Sequence, residues 1–173
     1  MSGVVTRYGP RMELYVIRHA IAEDPAPGSP DNERELTSDG ARRLKRAVKG
    51  MRALGWHFDR VLTSPWKRAV ESAELVAALC DDDPIVTPLL TQSPRSELLA
   101  ILSNTSGGDH TCVVGHEPWI GELVAWLAFG DTRHGEALRL KKAGAVVLSG
   151  TAVPGGMQIQ AIVPPSILRA SAE

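Results

Sequence analysis

The chain has 173 residues, 43% hydrophobic and 23% charged, which suits a soluble globular protein organised as one domain over 1–173. A net charge of −1 excludes a global field drawing it to nucleic acid or an anionic membrane, so any anion site must be built locally. No apolar run is long enough to span a bilayer and Met1 to Arg11 lacks a secretory core, so a cytoplasmic location is expected.

Leu14-Tyr15-Val16-Ile17 reads as a buried strand that ends abruptly in Arg18-His19, followed by Ala20. Ala22 to Asp39 reads as loop, because Pro25, Pro27, Gly28 and Pro30 exclude regular structure. Thr37 then caps a helix in which Leu44, Ala47, Val48, Met51 and Leu54 recur at helical spacing, and Gly55 stops it. Arg60 to Thr63 is a short strand. Ser64-Pro65 reads as the next helix start, a capping hydroxyl before proline at the first helical position. Trp66, Ala69, Val70, Ala73, Val76, Ala77 and Cys80 fall on one face behind it.

Asp81-Asp82-Asp83-Pro84 breaks that helix, Ile85-Val86-Thr87 is a minimal strand, and Ser93-Pro94 starts a third helix through Leu98, Ile101 and Leu102. Gly107-Gly108 turns into a strand over Thr111 to Val114 that ends at Gly115-His116, and Pro118 opens a fourth helix. Ala145 to Ser149 and Met157 to Val163, joined through Pro154-Gly155-Gly156, read as an antiparallel hairpin at one sheet edge. Strands alternating with helices imply a three-layer α/β/α sandwich with a mostly parallel sheet and an antiparallel edge strand. Ligands of such sheets bind outside the carboxyl ends of the strands.

Those strand ends carry matching chemistry. Arg18 offers a fixed fork of N–H donors suited to phosphate oxygens, and His19 is a nucleophile or proton carrier near neutral pH. A strand ending in two solvated polar residues would look the same, so the other ends decide. Arg68 falls in the first turn of its helix, where the helix dipole disfavours a cation unless an anion shares the site. His116 follows the strand after Gly107-Gly108. Two arginines and two histidines thus leave one sheet edge.

The remaining candidates read more simply. Cys80 and Cys112 are small core residues in no metal-like spacing. His57, His110 and His134 are scattered, without ligand spacing, and read as structural or exposed; no metal or cofactor is expected. Trp66 and Trp119 sit beside the proposed site and could shape its rim, but read first as core packing.

The segments Leu-Tyr-Val-Ile-Arg-His-Ala, Leu-Thr-Ser-Pro-Trp-Lys-Arg-Ala and Val-Val-Gly-His-Glu-Pro resemble the signature of the histidine phosphatase superfamily, with its phosphoglycerate mutase-like fold. The short length and Glu35-Leu36-Thr37-Ser38-Asp39-Gly40 look most like its small SixA-type branch, bacterial phosphohistidine phosphatases. One departure is Ala20, where glycine is usual. The resemblance implies that His19 attacks phosphorus and becomes a phosphohistidine intermediate, with Arg18, Arg68 and His116 holding the non-bridging oxygens. His19 must then be neutral, whereas a protonated His116 would bind phosphate better.

The proton donor is less defined. Larger relatives place a glutamate after the third strand, but Pro88 to Gln92 contains no carboxylate. Glu23 and Asp24 are the nearest candidates for the acid, with Glu117 third. An acid-poor pocket suits a phosphohistidine substrate, whose imidazole leaving group needs less help than an alkoxide. The partner is then a phosphorylated protein, such as a histidine-phosphotransfer domain, or a small phosphorylated metabolite. Alternatives are a small-molecule phosphomonoester phosphatase or mutase, a non-catalytic phospho-ligand binder, and RNA binding through Arg42, Arg43, Lys45, Arg46, Lys49 and Arg52. The last is disfavoured because those residues flank an apolar stripe in a near-neutral chain. The loop from Asp24 to Asp31 reads equally as a lid or a passive surface loop.

Overall fold

A computed structural model describes residues 11–104 and 109–172; the expected turn at Gly107-Gly108 and the N-terminal ten residues lie outside these. Six strands form one sheet: β1 (Met12–Arg18), β2 (Arg60–Thr63), β3 (Ile85–Val86), β4 (His110–Gly115), β5 (Ala145–Gly150) and β6 (Met157–Val163). The order is β3-β2-β4-β1-β5-β6. The first four run parallel, and β5 pairs antiparallel with both β1 and β6, which puts the hairpin at one end of the sheet as expected.

Alternation along the central strands explains the three layers. Successive side chains point to opposite faces, and both faces are buried, so the middle positions of β1, β4 and β5 form near-continuous apolar runs. Leu14 and Val16 of β1, Val113 of β4, and Val146 and Leu148 of β5 join one core. Tyr15 and Ile17, Cys112 and Val114, and Ala145 and Val147 join the other. Burying a Leu, Val or Ile side chain stabilises by roughly 1.5–3 kcal/mol, so these strands are strongly held in register.

Helices α3 (Ser96–Ser103) and α4 (Trp119–Phe129) cover the first face through Leu98, Leu102, Ile120, Leu123 and Leu127. Helices α1 (Ser38–Ala53), α2 (Lys67–Val76) and α5 (Pro165–Ala170) cover the second through Leu44, Met51, Val76 and Leu168. Thr37 caps α1 as expected, its Oγ1 accepting from Gly40 N at 2.9 Å. Helix α5 and the 3-10 turn over Thr132–Leu138 were not anticipated. Both free cysteines pack inside, Cys112 fully buried and Cys80 partly so.

Two helix starts fall later than the Ser-Pro steps suggest: α2 begins at Lys67 and α3 at Ser96. Ser64 is not the N-cap of α2, which is Trp66; the Ser64 hydroxyl accepts from Trp66 N at 3.3 Å ahead of the helix and also pairs with a buried ring described below. Among the described residues no helix is long and apolar enough to cross a membrane.

Helix α1 approaches the segment that follows β1 very closely. A Cβ at Gly40 would lie 2.1 Å from Ile21 O, the carbonyl that also accepts from Thr37 N at 3.0 Å. Only glycine allows this contact two residues beyond His19. Gly40→Ala is expected to destabilise the protein by about 1–3 kcal/mol, the usual range for overpacking. Urea unfolding checks this; wild-type stability in the variant contradicts it.

Candidate active site

The carboxyl ends of β1, β2 and β4 meet where their registers stop together, Arg18 opposite Gly115 and Thr63 opposite Val114. Immediately beyond lie His19, Ser64 and His116, with Arg68 in the first turn of α2. His19 is 5% exposed, His116 2% and Arg68 4%. The two imidazole centroids stand 5.1 Å apart. The structure therefore brings together the four residues singled out from the strand ends.

His19 Nδ1 lies 2.7 Å from Ala20 O. A carbonyl can only accept, so Nδ1 carries the proton and Nε2 presents its lone pair. Arg68 Nε approaches that nitrogen at 3.3 Å. Burial, reinforced by Arg68 and Arg18, pushes the His19 pKa down to about 4 against the partial support of Ala20 O. The ring is neutral at pH 7, the state a nucleophile requires.

His116 is pushed down further, to about 3, first by burial and then by His19 and Arg68. The expectation that a cationic His116 grips phosphate therefore fails for the ligand-free protein: the buried ring beside two guanidinia is neutral. Its hydrogen bonding supplies another route. Ser64 Oγ stands 2.5 Å from His116 Nε2, while Nδ1 is buried without a partner. With the Ser64 hydroxyl donating to Nε2, Nδ1 carries the hydrogen and offers a neutral donor to an oxyanion.

Arg18 anchors one end of its fork, NH1 donating to Leu140 O at 2.8 Å, and leaves its buried Nε unpartnered. Buried donors are normally satisfied, so these two unpartnered nitrogens, each on a residue at the strand ends, are candidates to receive an anion's oxygens. Leu140 N in turn donates to Glu117 Oε1 at 2.7 Å, so Glu117 braces the chain under Arg18; burial raises its pKa. Ala143, with φ at 61°, donates to Arg18 O at 3.0 Å and fixes the strand end from the other side.

The sequence did not reveal what holds Arg68. Asp31, in a 3-10 turn of the loop after β1, takes both terminal nitrogens: NH1 donates to Asp31 O at 2.6 Å and NH2 to Oδ2 at 2.8 Å. Arg34 foremost, with Arg68, holds the Asp31 carboxyl below its usual range, so it is an anion rather than an acid. An incoming phosphate competes with this carboxylate. Trp66 backs the guanidinium at 4.7 Å and packs on His116 at 4.6 Å, with Trp119 edge-on at 5.5 Å. These half-buried rings wall the pocket rather than fill the core.

Ser72 was also unforeseen: its hydroxyl donates to Arg68 O at 2.6 Å and accepts from Ala20 N at 3.0 Å, tying α2 to the end of β1. Glu23 and Asp24 are exposed and line a separate hollow with Arg34 and Glu35. No hydrogen bond or ion pair among the described residues joins either carboxylate to His19, so the structure does not bring these candidate acids to the nucleophile. His57 and His110 are not scattered, as expected, but stack with centroids 4.7 Å apart at the opposite edge of the sheet.

The fold is an α/β sandwich whose strand ends gather two guanidinium and two imidazole groups, a set suited to phosphate oxygens. The model of the histidine phosphatase superfamily, branch 1, matches residues 14–92. An uncharacterised protein of Picosynechococcus sp. is 38% identical over 155 residues, covering 87% of this chain and 90% of the relative. The phosphohistidine phosphatase SixA of Escherichia coli is 29% identical over 127 residues, 70% of this chain and 77% of that one. The structure of the protein histidine phosphatase SixA complexed with tungstate superposes with a TM-score of 0.76 at 24% identity, covering 91% and 99% of the two chains. The chain belongs to the histidine phosphatase superfamily, and that membership supports phosphatase activity.

Two measurements test the site. In an NMR titration the His19 and His116 ring protons should move with midpoints near 4 and 3, their neutral forms persisting throughout the neutral range; a midpoint near 6.5 for His19 overturns the burial argument. Asp31→Ala should tighten tungstate binding about three- to tenfold by freeing the Arg68 fork, a change of roughly 1 kcal/mol in calorimetry. Weaker tungstate binding would show that Asp31 positions Arg68 rather than competing for it.

Proposed function

We propose that this chain hydrolyses phosphohistidine on a protein partner through a covalent phosphohistidine on His19. The observation that carries this reading is the allocation of charge at the pocket. The nucleophile and donors are oriented, while the nearby carboxylates are committed elsewhere, Asp31 to Arg68 and Glu117 to Leu140 N. Phosphohistidine suits such a site. When its free ring nitrogen is protonated, the departing imidazole leaves as a neutral molecule, and no acid is needed at the bridging nitrogen.

In the first step the lone pair of His19 Nε2 forms a bond to phosphorus as the substrate P–N bond breaks and its electron pair stays on the leaving imidazole. The Ala20 carbonyl stabilises the charge that develops on the His19 ring through Nδ1–H. Arg18 Nε, Arg68 and His116 Nδ1 donate to the equatorial oxygens, where preorganised donors lower the barrier most. Water then attacks the phosphohistidine, its proton passes to the departing phosphate, and neutral His19 is restored.

Surface charge supports a protein substrate over a metabolite. A cavity of about 410 Å³ opens beside Arg18 and is lined also by Arg43, Lys141, Lys142 and Arg169. An adjoining hollow of about 250 Å³ is walled by Arg42, Arg43, Arg46 and Arg169. Metabolite sites are mostly apolar with a few polar groups, whereas arginine forks suit carboxylates on an acidic protein face.

The test is a substrate panel: a phosphohistidine-bearing phosphotransfer domain, p-nitrophenyl phosphate and sugar phosphates, each with acid-labile phosphoenzyme trapping. Wild type should turn over the phosphohistidine domain at least about a hundredfold faster than the sugar phosphates, and His19→Ala should lose both turnover and the trapped phosphoenzyme. Equal turnover of sugar phosphates would transfer the assignment to phosphomonoesters; retained phosphoenzyme in His19→Ala would sink the mechanism.

A further inference from the structure

At the opposite edge of the sheet, where β1, β2 and β4 begin, a second cluster has no part in phosphoryl transfer. His57 and Asp59 lie in the connection from α1 to β2, and His110 is the first residue of β4. One potential ligand atom from each lies within 4.8 Å of the others. We propose that His57, Asp59 and His110 form a site for a zinc-like divalent transition-metal ion, which clamps the α1–β2 connection to the start of β4.

The local geometry is better suited to an ion than to direct hydrogen bonding. His110 Nδ1 and Asp59 Oδ2 are 3.5 Å apart, longer than a good N–H···O bond. Zinc–nitrogen and zinc–oxygen bonds of about 2.1 Å set the edge of a coordination tetrahedron at about 3.4 Å, which matches. The other nitrogen, Nε2, faces Glu13 Oε2 at 3.5 Å, and Tyr15 OH donates to that same oxygen at 2.7 Å. A metal-bound histidine characteristically turns its second N–H to a carboxylate, which fixes the tautomer and the ring. Glu13, held by Tyr15, stands beside that nitrogen and would have to close from 3.5 Å to orient the ring when an ion binds.

Asp59 is also preset, since Oδ2 accepts from His110 N at 2.8 Å. His57 is exposed, so its ring can swing inward by the small distance that closes the set. A cavity of about 620 Å³, lined by Glu13, Tyr15, Trp56, His57 and His110 among others, gives the ion an entry path and room for a water as fourth ligand. Two imidazoles and one carboxylate favour zinc and its neighbours over magnesium or calcium, which take all-oxygen sites. The site is far from the nucleophile: His110 and His116 bracket β4, and six residues of strand span about 20 Å.

The test uses the full chain, stripped with chelator and titrated with zinc chloride and, separately, cobalt chloride. One ion per chain should bind with a dissociation constant near or below about 10 µM, and bound cobalt should show the intense visible absorption of tetrahedral coordination. His57→Ala, at an exposed position, should weaken binding at least about tenfold, and Glu13→Gln should weaken it about tenfold through His110. Zinc should raise the melting temperature of wild type but not of His57→Ala, while p-nitrophenyl phosphate turnover by metal-free His57→Ala matches that of metal-free wild type. His19→Ala and His116→Ala should keep the ion. Loss of binding in those two variants instead, no effect of His57→Ala, or no binding at about 100 µM zinc would each overturn the proposal.

Discussion

The burial of the Arg68 guanidinium against two imidazoles constrains everything around it. A buried charge is tolerated only when it is paired and hydrogen-bonded, and at 4% exposure little solvent reaches it. Asp31 neutralises it, Trp66 covers one face, and the remaining Nε contacts His19. Burial foremost, with this cation adding to it, keeps both rings neutral, so the nucleophile and the second histidine share one cause of their protonation state. Removing Arg68 would leave Asp31 with Arg34 alone and relax part of the pressure on both rings; the residue therefore helps organise the pocket as well as receiving phosphate.

Neutral histidines resolve what first looks like a conflict. Attack by His19 requires an unprotonated Nε2, whereas phosphate recognition by His116 invites a positive charge. Ser64 offers a way around that charge: with its hydroxyl donating to Nε2, the hydrogen sits on Nδ1, the buried atom that lacks a partner. Electrostatic attraction then comes from Arg18 and Arg68, while His116 contributes direction. Donors fixed before substrate arrives require no reorganisation during the reaction.

The parts of this arrangement legible in the sequence are those governed by short-range rules. A continuous apolar run and its abrupt end located β1, and helical spacing with a Thr37 cap located α1. The four cationic and imidazole groups followed, because strand ends of a parallel sheet converge by topology alone. Long-range partners carried no such signal. Asp31 meets Arg68 across 37 positions, and Ser64 meets His116 across 52, from segments whose local chemistry reads as turn and cap. Ser64 shows the mechanism of the error: the hydroxyl suited to start a helix was taken by a buried imidazole, and α2 started at Lys67 instead. The histidine pair at the other pole escaped for the same reason, since His57 and His110 are joined only by the pairing of neighbouring strands.

That pairing gives β4 an unusual symmetry of use. Its carboxyl end delivers His116 to a pocket with two permanent cations, where a further cation would be repelled and an anion is drawn in. Its amino end carries His110 among Glu13 and Asp59, where the sign is reversed. Identical imidazoles thus face opposite potentials about 20 Å apart on one rigid strand, and each takes its chemistry from its neighbours. The intervening residues are packed into both cores, so the two poles are ends of one rigid strand, and a metal at the amino end would act first on the stability of the strand starts.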